Sequence, residues 1–349
     1  MPSSGKGTRF AVIGLSHPHG EDMVEALVGA GAELAAYFEK DDDLAAEFGG
    51  DSSRVRRARS MDEILLDETL ALVVSAAVPR DRPGIAVAAM DHGKDVLLDK
   101  PACTSQSQLD ELRRAHDRTG RHLAVWFDER LGNPASLKAA ELIGEGAIGE
   151  IVHVIGTGPH DVDTFTRPDW FYEPDDAGGI LVDLGCQQID IFIALTGARA
   201  VAVEAARVGN VAHPEKARFQ DIGDVLLRDP SGAMGYLRVD WLTPAGLGAY
   251  GDGRTLIVGT EGTLELRRDI DPAGRGEGHH IFLTDREGTR YVPADDVELP
   301  FALMMLEDLD RLTEAAMTTE HALRVTELSL DAQALAYEQG EARSAQVTR

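Results

Sequence analysis

The sequence is short of cysteine, of positive charge and of long hydrophobic runs. Its two cysteines, Cys103 and Cys186, are too few for a disulfide framework or a zinc ribbon. The 60 acidic residues outnumber the 34 basic ones, and the net charge of −26 disfavours binding to nucleic acid, which needs a basic surface. No apolar run reaches the length of a membrane span, about 18 residues, and residues 1–7 lack an apolar signal core. We therefore expect a cytoplasmic protein that binds neither nucleic acid nor a membrane.

The chain of 349 residues is long enough for two domains. In the first part, residues 8–127, short apolar segments alternate with segments of helical periodicity. This alternation predicts a parallel, doubly wound sheet of the Rossmann type. The predicted strands are residues 9–15, 33–38, 70–78, 95–98 and 122–127, and the predicted helices include residues 21–28, 83–92 and 106–119.

The pattern changes in the second part, residues 128–340. Turn residues rather than helices separate most of its apolar segments, so we expect a mostly antiparallel open sheet with helices on one face. One helix is predicted at residues 180–196. Another near the chain end has leucines 303, 306, 309 and 312 on one stripe, and whether a C-terminal helix packs back on the first domain stays open. We expect the open sheet face to form a homodimer or homotetramer. The predicted strands are residues 150–155, 201–207, 224–227, 234–241, 254–258, 262–266 and 280–283.

The first predicted strand is followed by a tight loop and a helix, which is the context of a dinucleotide-binding site. Gly14 stands where the first glycine of that motif belongs, whereas Ser16 and His19 occupy the positions of the second and third. Ser16 is small, and its hydroxyl can donate to a pyrophosphate held at the helix N-terminus. His19 is a departure, so the loop predicts a modified cofactor site.

Glu39 ends the second predicted strand, 20 residues after His19 (39 − 19). In NAD enzymes an acid at about this spacing binds the ribose hydroxyls, and its charge repels a 2′-phosphate. The sequence therefore favours NAD over NADP, although Lys40 weakens the preference. The alternative interpretation, a solvated strand end before three aspartates, stays open.

His17 and His19 alternate in the same loop and could be a pair of metal ligands. No carboxylate or thiol partner for them is evident in the sequence, and a metal site needs more than two ligands. We therefore predict no metal site and expect both histidines to lie at the cofactor.

Asp99-Lys100-Pro101 follows the fourth predicted strand. Open α/β sheets bind ligands at the carboxyl ends of their strands, so Asp99 and Lys100 are expected beside the cofactor. Ala77 and Pro79, at the end of the preceding strand, are expected there too. The alternative is a surface lysine at a turn.

The second part contains two motifs of polar residues and glycines. Arg130 precedes Asn133-Pro134, and a glycine-rich helix start contains Gly178, Gly179, Asp183, Gly185, Gln187 and Asp190. Taken with the lysine motif and the dinucleotide-type first domain, their order and separation resemble the glucose–fructose oxidoreductase, inositol dehydrogenase and MocA (Gfo/Idh/MocA) family over nearly the whole chain.

The resemblance implies an NAD(P)-dependent oxidoreductase that interconverts a hydroxyl and a ketone on a sugar, a cyclitol or a related polyol. It implies that Lys100 lies beside the nicotinamide and the substrate hydroxyl, where Asp183 orients it. The family has a histidine four residues after this aspartate, whereas this chain has Gln187, whose amide cannot act as a base near neutral pH. Lys100 and His160 remain to move the proton, and Gln187 and His160 are expected to bind other hydroxyls.

Three aromatic residues, Trp170, Tyr172 and Trp241, are expected to wall the substrate pocket, although most aromatic residues simply fill cores. The absent histidine leaves two other functions open. One is an enzyme that uses bound NAD without net redox, as a lyase, a hydratase or a glycosidase. The other is a non-catalytic sugar-binding homologue.

Overall fold

The structure is a computed structural model that describes residues 7–51, 55–163, 167–230, 232–271, 273–275, 278–294 and 296–347. The chain divides into two compact units. The first unit contains Met1–Trp126 and Pro300–Thr326, and the second contains Phe127–Leu299 and Glu327–Arg349.

The sheet of the first unit consists of β1 (Arg9–Ile13), β2 (Glu33–Phe38), β3 (Arg56–Arg57), β4 (Leu72–Ser75), β5 (Asp95–Asp99) and β6 (Leu123–Trp126). All six strands are parallel, in the order β3-β2-β1-β4-β5-β6. The prediction of a Rossmann-type sheet is confirmed. Chain order reverses between β1 and β4, and such a switch point is where doubly wound sheets bind ligands.

Helices connect these strands, because parallel neighbours need crossover connections. α5 shows how the sequence sets a helix: the Ser105 hydroxyl accepts the Gln108 N–H at its start, and Gly120, with a φ of 63°, ends it. Residues 42–65, for which we predict no element, contain two of the helices and β3. The helices are α1 (His19–Gly29), α2 (Asp42–Asp51), α3 (Met61–Leu65), α4 (Arg82–Asp91) and α5 (Gln106–Thr119).

Two helices close the chain, α11 (Phe301–Arg311) and α12 (Thr319–Val347). The predicted leucine stripe of α11 is wrong, since Leu303 and Leu312 are 45% and 77% exposed while Met305 and Leu306 are buried. Leucines repeat here every third residue, and that spacing drifts around a helix of about 3.6 residues per turn. α12 was not predicted, because it is only weakly amphipathic.

The second unit contains β7 (Ile151–Pro159), β8 (Ala202–Gly209), β9 (Ile222–Arg228), β10 (Met234–Asp240), β11 (Arg254–Gly259), β12 (Thr263–Arg267), β13 (His280–Asp285) and β14 (Gly288–Val292). Their order is β14-β13-β12-β11-β7-β10-β9-β8. Neighbours are antiparallel except for β7 and β10, which run parallel. The prediction of a mostly antiparallel sheet is confirmed, and β14 is an additional strand.

In the described part of the chain, the helices that lie wholly within this unit are α6 (Asp128–Leu131), α7 (Pro134–Gly144), α8 (Pro174–Ala177), α9 (Ile180–Asp183) and α10 (Gly185–Thr196), and the end of α12 also belongs to it. The helix predicted at residues 180–196 corresponds to α9 and α10, which meet at Leu184, where the backbone keeps helical φ and ψ. α10 packs closely on β7 and β10, since a Cβ atom at Gly156 would lie 2.3 Å from Gln188 and one at Gly235 would lie 2.9 Å from Phe192. Glycine in the strands thus makes room for the helix.

One helical stretch, Pro174–Thr196, is long and apolar enough to span a membrane by length and composition alone. Of its most apolar window, 83% is buried inside the protein. Core helices pass the same test, so this stretch is weak evidence for a span.

Candidate functional site

Gly14 ends β1 in a conformation and a space that suit glycine alone. Its φ is 85°, and a Cβ atom there would lie 2.4 Å from the Cβ of Ala77, in the loop after β4. The Gly14 carbonyl accepts the N–H of Ala76 at 3.1 Å, and the Ala76 carbonyl accepts the N–H of His17 at 3.0 Å. The loops after β1 and β4 therefore touch at the carboxyl edge of the sheet.

Glu39 joins the end of β2 to the same region. It is 7% exposed, so the alternative of a solvated strand end is wrong. Its carboxylate accepts the N–H of Leu15 at 2.6 Å and the N–H of Asp41 at 2.9 Å. Each carboxylate oxygen has a second lone pair, so acceptor capacity remains for ribose hydroxyls.

Arg82, at the start of α4, is fully buried and joins the ends of β4 and β5. Its Nε donates to the Ala77 carbonyl at 2.7 Å, and its Nη1 donates to the carbonyls of Asp99 and Pro101 at 2.9 and 2.8 Å. Its Nη2 donates to the Asp99 carboxylate at 2.7 Å. One side chain therefore fixes the backbone on both sides of Lys100.

The Asp99 carboxylate also faces both loop histidines. Nδ1 of His19 lies 2.8 Å from Asp99 Oδ1, and Nδ1 of His17 lies 3.3 Å from Oδ2. Burial opposes ionisation of Asp99, but Arg82, His17 and His19 outweigh it and hold the pKa of Asp99 well below its usual value. The expectation that no carboxylate stands near these histidines is wrong, because β5 carries one to them.

Lys100 is 3% exposed, so the alternative of a surface lysine is wrong. Burial lowers the pKa of His17 well below 6.5, although the Asp99 carboxylate acts to raise it. The positive charges of His19, Lys100 and Arg82 lower the His17 pKa further. Lys100 thus lies near the histidine loop. Pro79 is buried beside this edge.

The predicted cofactor residues of the first unit therefore gather at one sheet edge, around the loop after β1. That they bind a cofactor stays a prediction. The residues are Gly14, Ser16, His17, His19, Glu39, Ala77, Pro79, Asp99 and Lys100.

The second unit has a small cavity lined by aromatic side chains, with a volume of about 10 Å³, which is room for about one water molecule. Tyr172, Trp241 and Asp183 line it together with Phe171 and Phe219. The structure thus brings two of the predicted substrate aromatics to the predicted catalytic aspartate. The third predicted aromatic residue, Trp170, is half-buried beside Phe171, at a centroid distance of 6.4 Å.

Gln187 is buried, and its amide is engaged by α6. Its Oε1 accepts the N–H of Glu129 at 3.1 Å, and its Nε2 donates to the Asp128 carboxylate at 2.5 Å. Both groups of the amide therefore have protein partners. A substrate hydroxyl would have to share the Gln187 amide with these protein partners. A role of Gln187 in binding substrate therefore stays a prediction.

His160 is buried between Trp241 and Tyr250, at centroid distances of 5.5 and 5.2 Å. Its Nδ1 lies 3.2 Å from the Gly158 carbonyl, and its Nε2 lies 3.6 Å from the Glu129 carboxylate. A carboxylate behind an imidazole orients the ring and stabilises its protonated form. Both ring nitrogens of His160 therefore face protein oxygens, so its role in moving a proton stays a prediction.

Sequence reasoning missed four charged residues of the two sites. Arg82 gave no signal, since an arginine at a helix start is usually exposed. No motif in the sequence singled out Asp128, Glu129 or Arg268. Burial opposes the charge of Arg268, but Asp128 and Glu129 outweigh it and raise its pKa.

Lys100 belongs to the first unit, whereas Asp183, Gln187 and His160 belong to the second. The predicted encounter between the lysine and the aspartate therefore stays a prediction.

Two family models match this chain. Residues 8–127 match an oxidoreductase family with an NAD-binding Rossmann fold, and residues 136–265 match the GFO/IDH/MocA C-terminal domain. The chain belongs to the Gfo/Idh/MocA family. It is an enzyme of the oxidoreductase class built on an NAD-binding domain.

Known relatives agree with this assignment. A crystal structure of an oxidoreductase from Erwinia carotovora atroseptica SCRI1043 is 41% identical and has a TM-score of 0.92, over 94% of this chain and 98% of that one. Inositol 2-dehydrogenase 2 of Saccharopolyspora erythraea is 26% identical over 74% of this chain and 73% of its own length. D-xylose dehydrogenase of Paenarthrobacter nicotinovorans is 28% identical, but the match spans only 36% of this chain and 34% of that enzyme.

The residues at the switch point fit a dinucleotide in part. Gly14 makes the close approach that a Cβ atom would prevent, and a helix starts after the loop. Glu39 has the position and burial of a ribose acceptor. His19 fills the place of a small residue, so it would have to contact the phosphates or lie beside them.

We predict that Arg82→Lys destabilises the first unit by about 1–3 kcal/mol for each buried oxygen that loses its donor, because one ammonium group cannot reach all four oxygens that the guanidinium contacts. A lysine cannot reproduce the planar fork. Denaturant unfolding measures the change. Arg80→Lys, at an exposed arginine two residues away, is the control and should change stability by less than about 1 kcal/mol. Equal stability of the two variants would contradict the positioning role of Arg82.

Proposed function

We propose that this protein is an NAD-dependent oxidoreductase that interconverts a hydroxyl and a ketone on a sugar, a cyclitol or a related polyol. The observation that carries the proposal is the burial of Lys100 at the sheet edge where Gly14 and Glu39 lie. Arg82 donates hydrogen bonds to the backbone carbonyls of the residues before and after this lysine. Relatives named for inositol and D-xylose oxidation support this substrate class.

Each residue has a defined role in this proposal. When bound, the nicotinamide supplies the hydride acceptor or donor. Lys100 binds the reacting hydroxyl, and Asp183 orients the lysine. Tyr172 and Trp241 wall the substrate site, and the small cavity between them would have to widen to admit a sugar ring. Lys100 is the first candidate to take the hydroxyl proton, and His160 is the second, for which one ring nitrogen would have to leave its contact with Gly158 or Glu129.

The engaged amide of Gln187 favours one alternative, an enzyme that uses bound NAD without net redox. No imidazole stands at the position where the family has its proton acceptor, so the overall reaction can differ from oxidation. Turnover of sugars and cyclitols with NAD distinguishes the two. One NADH formed per substrate consumed supports the oxidoreductase, and product formation without a net change in nicotinamide absorbance supports the alternative.

We expect Lys100→Ala to lower kcat/KM by about 10³-fold, the size of a lost group at the reacting hydroxyl. NADH affinity, read from its fluorescence, should fall far less than kcat/KM, because the other predicted cofactor residues are unchanged. Lys138→Ala, at a lysine paired with Glu141 on α7, is the control and should keep full activity. Near-normal turnover by a folded Lys100→Ala protein would rule out the proposed site.

Glu39→Gln should weaken NAD⁺ binding by about tenfold, or about 1.4 kcal/mol, while NADP⁺ binding weakens less. The carboxylate accepts ribose hydroxyls better than an amide and repels a 2′-phosphate. Calorimetry with both dinucleotides measures the ratio, and Glu33→Gln at the exposed start of β2 is the control. If both dinucleotides lose affinity equally, Glu39 only holds the loop through Leu15 and does not select the cofactor.

We also propose that the open sheet face of the second unit forms a homodimer or homotetramer. Positions such as Gly156 and Gly235 face α10, so their neighbours Ile155 and Tyr236 face the other way. These outward residues are half-exposed or exposed and apolar, as are Leu226 of β9 and Leu256 of β11. A patch of this kind marks an interaction surface.

Light scattering tests the assembly. Tyr236→Glu combined with Leu256→Glu should convert the oligomer to a monomer, since each places a charge in the apolar face. Val28→Glu makes the same change at an exposed residue of α1 and should leave the oligomer intact. A wild-type protein that is already monomeric at micromolar concentration would refute the proposal.

A further inference from the structure

His17, His19 and Asp99 form a cluster that the proposed oxidoreductase function does not explain. Each offers one ligand atom, and these atoms lie within 4.8 Å of one another. The two imidazoles come from the loop after β1 and the first turn of α1, and the carboxylate comes from the end of β5. Two histidines and one carboxylate are a recurrent ligand set for divalent transition metals.

The ligand spacing is close to what a tetrahedral ion requires. With metal–nitrogen bonds of about 2.0–2.1 Å, neighbouring ligand atoms are about 3.3 Å apart. His17 Nδ1 and Asp99 Oδ2 are 3.3 Å apart, and His19 Nδ1 and Asp99 Oδ1 are 2.8 Å apart. The second pair therefore needs to open by only about half an ångström.

His17 faces the Asp99 carboxylate with a ring nitrogen that has one lone pair. This Nδ1 lies 3.3 Å from the carboxylate and accepts the N–H of His19 at 3.3 Å. A metal ion between Nδ1 and the carboxylate would take that lone pair in place of the His19 N–H.

The cluster can be reached from solvent. The two imidazole side chains are 17% and 18% exposed, so an ion can reach them from solvent.

Arg82 limits which ion fits. It neutralises the only carboxylate of the cluster, so little net negative charge remains to attract Mg²⁺ or Ca²⁺, which prefer several oxygen ligands. Imidazole nitrogen instead favours Zn²⁺ and its neighbours in the first transition series. Arg82 also hydrogen-bonds the ligating carboxylate, the second-shell support that such sites commonly have.

We propose that His17, His19 and Asp99 bind one divalent transition-metal ion of the zinc type at the switch point of the Rossmann sheet. Three protein ligands leave a fourth position open for water or for an oxygen of a bound small molecule. The site lies wholly within the first unit. It does not depend on the proposed sugar oxidation, because metal content can be measured without activity.

The test uses the full-length protein, stripped with a chelator and titrated with Zn²⁺ by calorimetry and with Co²⁺ by visible absorption. Wild type should bind one equivalent, and tetrahedral Co²⁺ should give an intense visible band. His17→Ala and His19→Ala should each weaken binding by more than about 100-fold, since even outer-shell partners of a metal ligand account for about 10- to 100-fold. Circular dichroism verifies that the variants are folded.

His92→Ala is the matched control. His92 is an exposed histidine at the end of α4 whose Nδ1 lies 2.8 Å from the Ala88 carbonyl, and its removal should leave metal binding unchanged. The proposal fails if wild type binds less than a stoichiometric amount of Zn²⁺ and Co²⁺, or if the two loop variants bind them as wild type does. It also fails if the loop variants lose NAD⁺ affinity while metal binding is unaltered, because the imidazoles would then serve the dinucleotide alone.

Discussion

The buried ion pair between Arg82 and Asp99 is the contact on which the candidate site of the first unit depends. Both side chains are fully buried. The guanidinium joins the carbonyls of Ala77, Asp99 and Pro101 and one carboxylate oxygen. Because a planar guanidinium fixes the direction of every donor, the ends of β4 and β5 have one relative position. Lys100 lies between two of these anchored carbonyls, so its backbone is placed before any ligand binds.

This ion pair also sets the charge of the site. The chain has a net charge of −26, and the edge around Gly14 gathers Arg82, Lys100 and two imidazoles together with the carboxylates of Asp99 and Glu39. The same pair keeps Asp99 ionised, which allows it to hold His17 and His19, of which His19 stands where the usual motif has a small residue.

The second unit departs from its family at the residue that would normally move a proton. Gln187 is bonded to Asp128 and to the Glu129 backbone, so it stabilises α6 rather than presenting a base. Glu129 in turn lies close to His160, at the end of β7. The position on α10 that has an imidazole in the family is thus a structural amide here, and an imidazole and a carboxylate lie near each other elsewhere in the same unit.

The sequence alone determined both sheets, because apolar periodicity follows directly from which strand faces are buried. It also determined Gly14, Glu39 and Lys100 as candidates, since each stands at a strand end. Only the tertiary structure decided that Arg82 is buried and that Asp99 reaches His19, 80 residues away in the chain. It likewise decided which face of α11 is buried. No local pattern encodes such contacts, because they form where strands and loops from distant parts of the chain converge and exclude water. Packing in the folded protein therefore decides which side chains meet, rather than their neighbours in sequence.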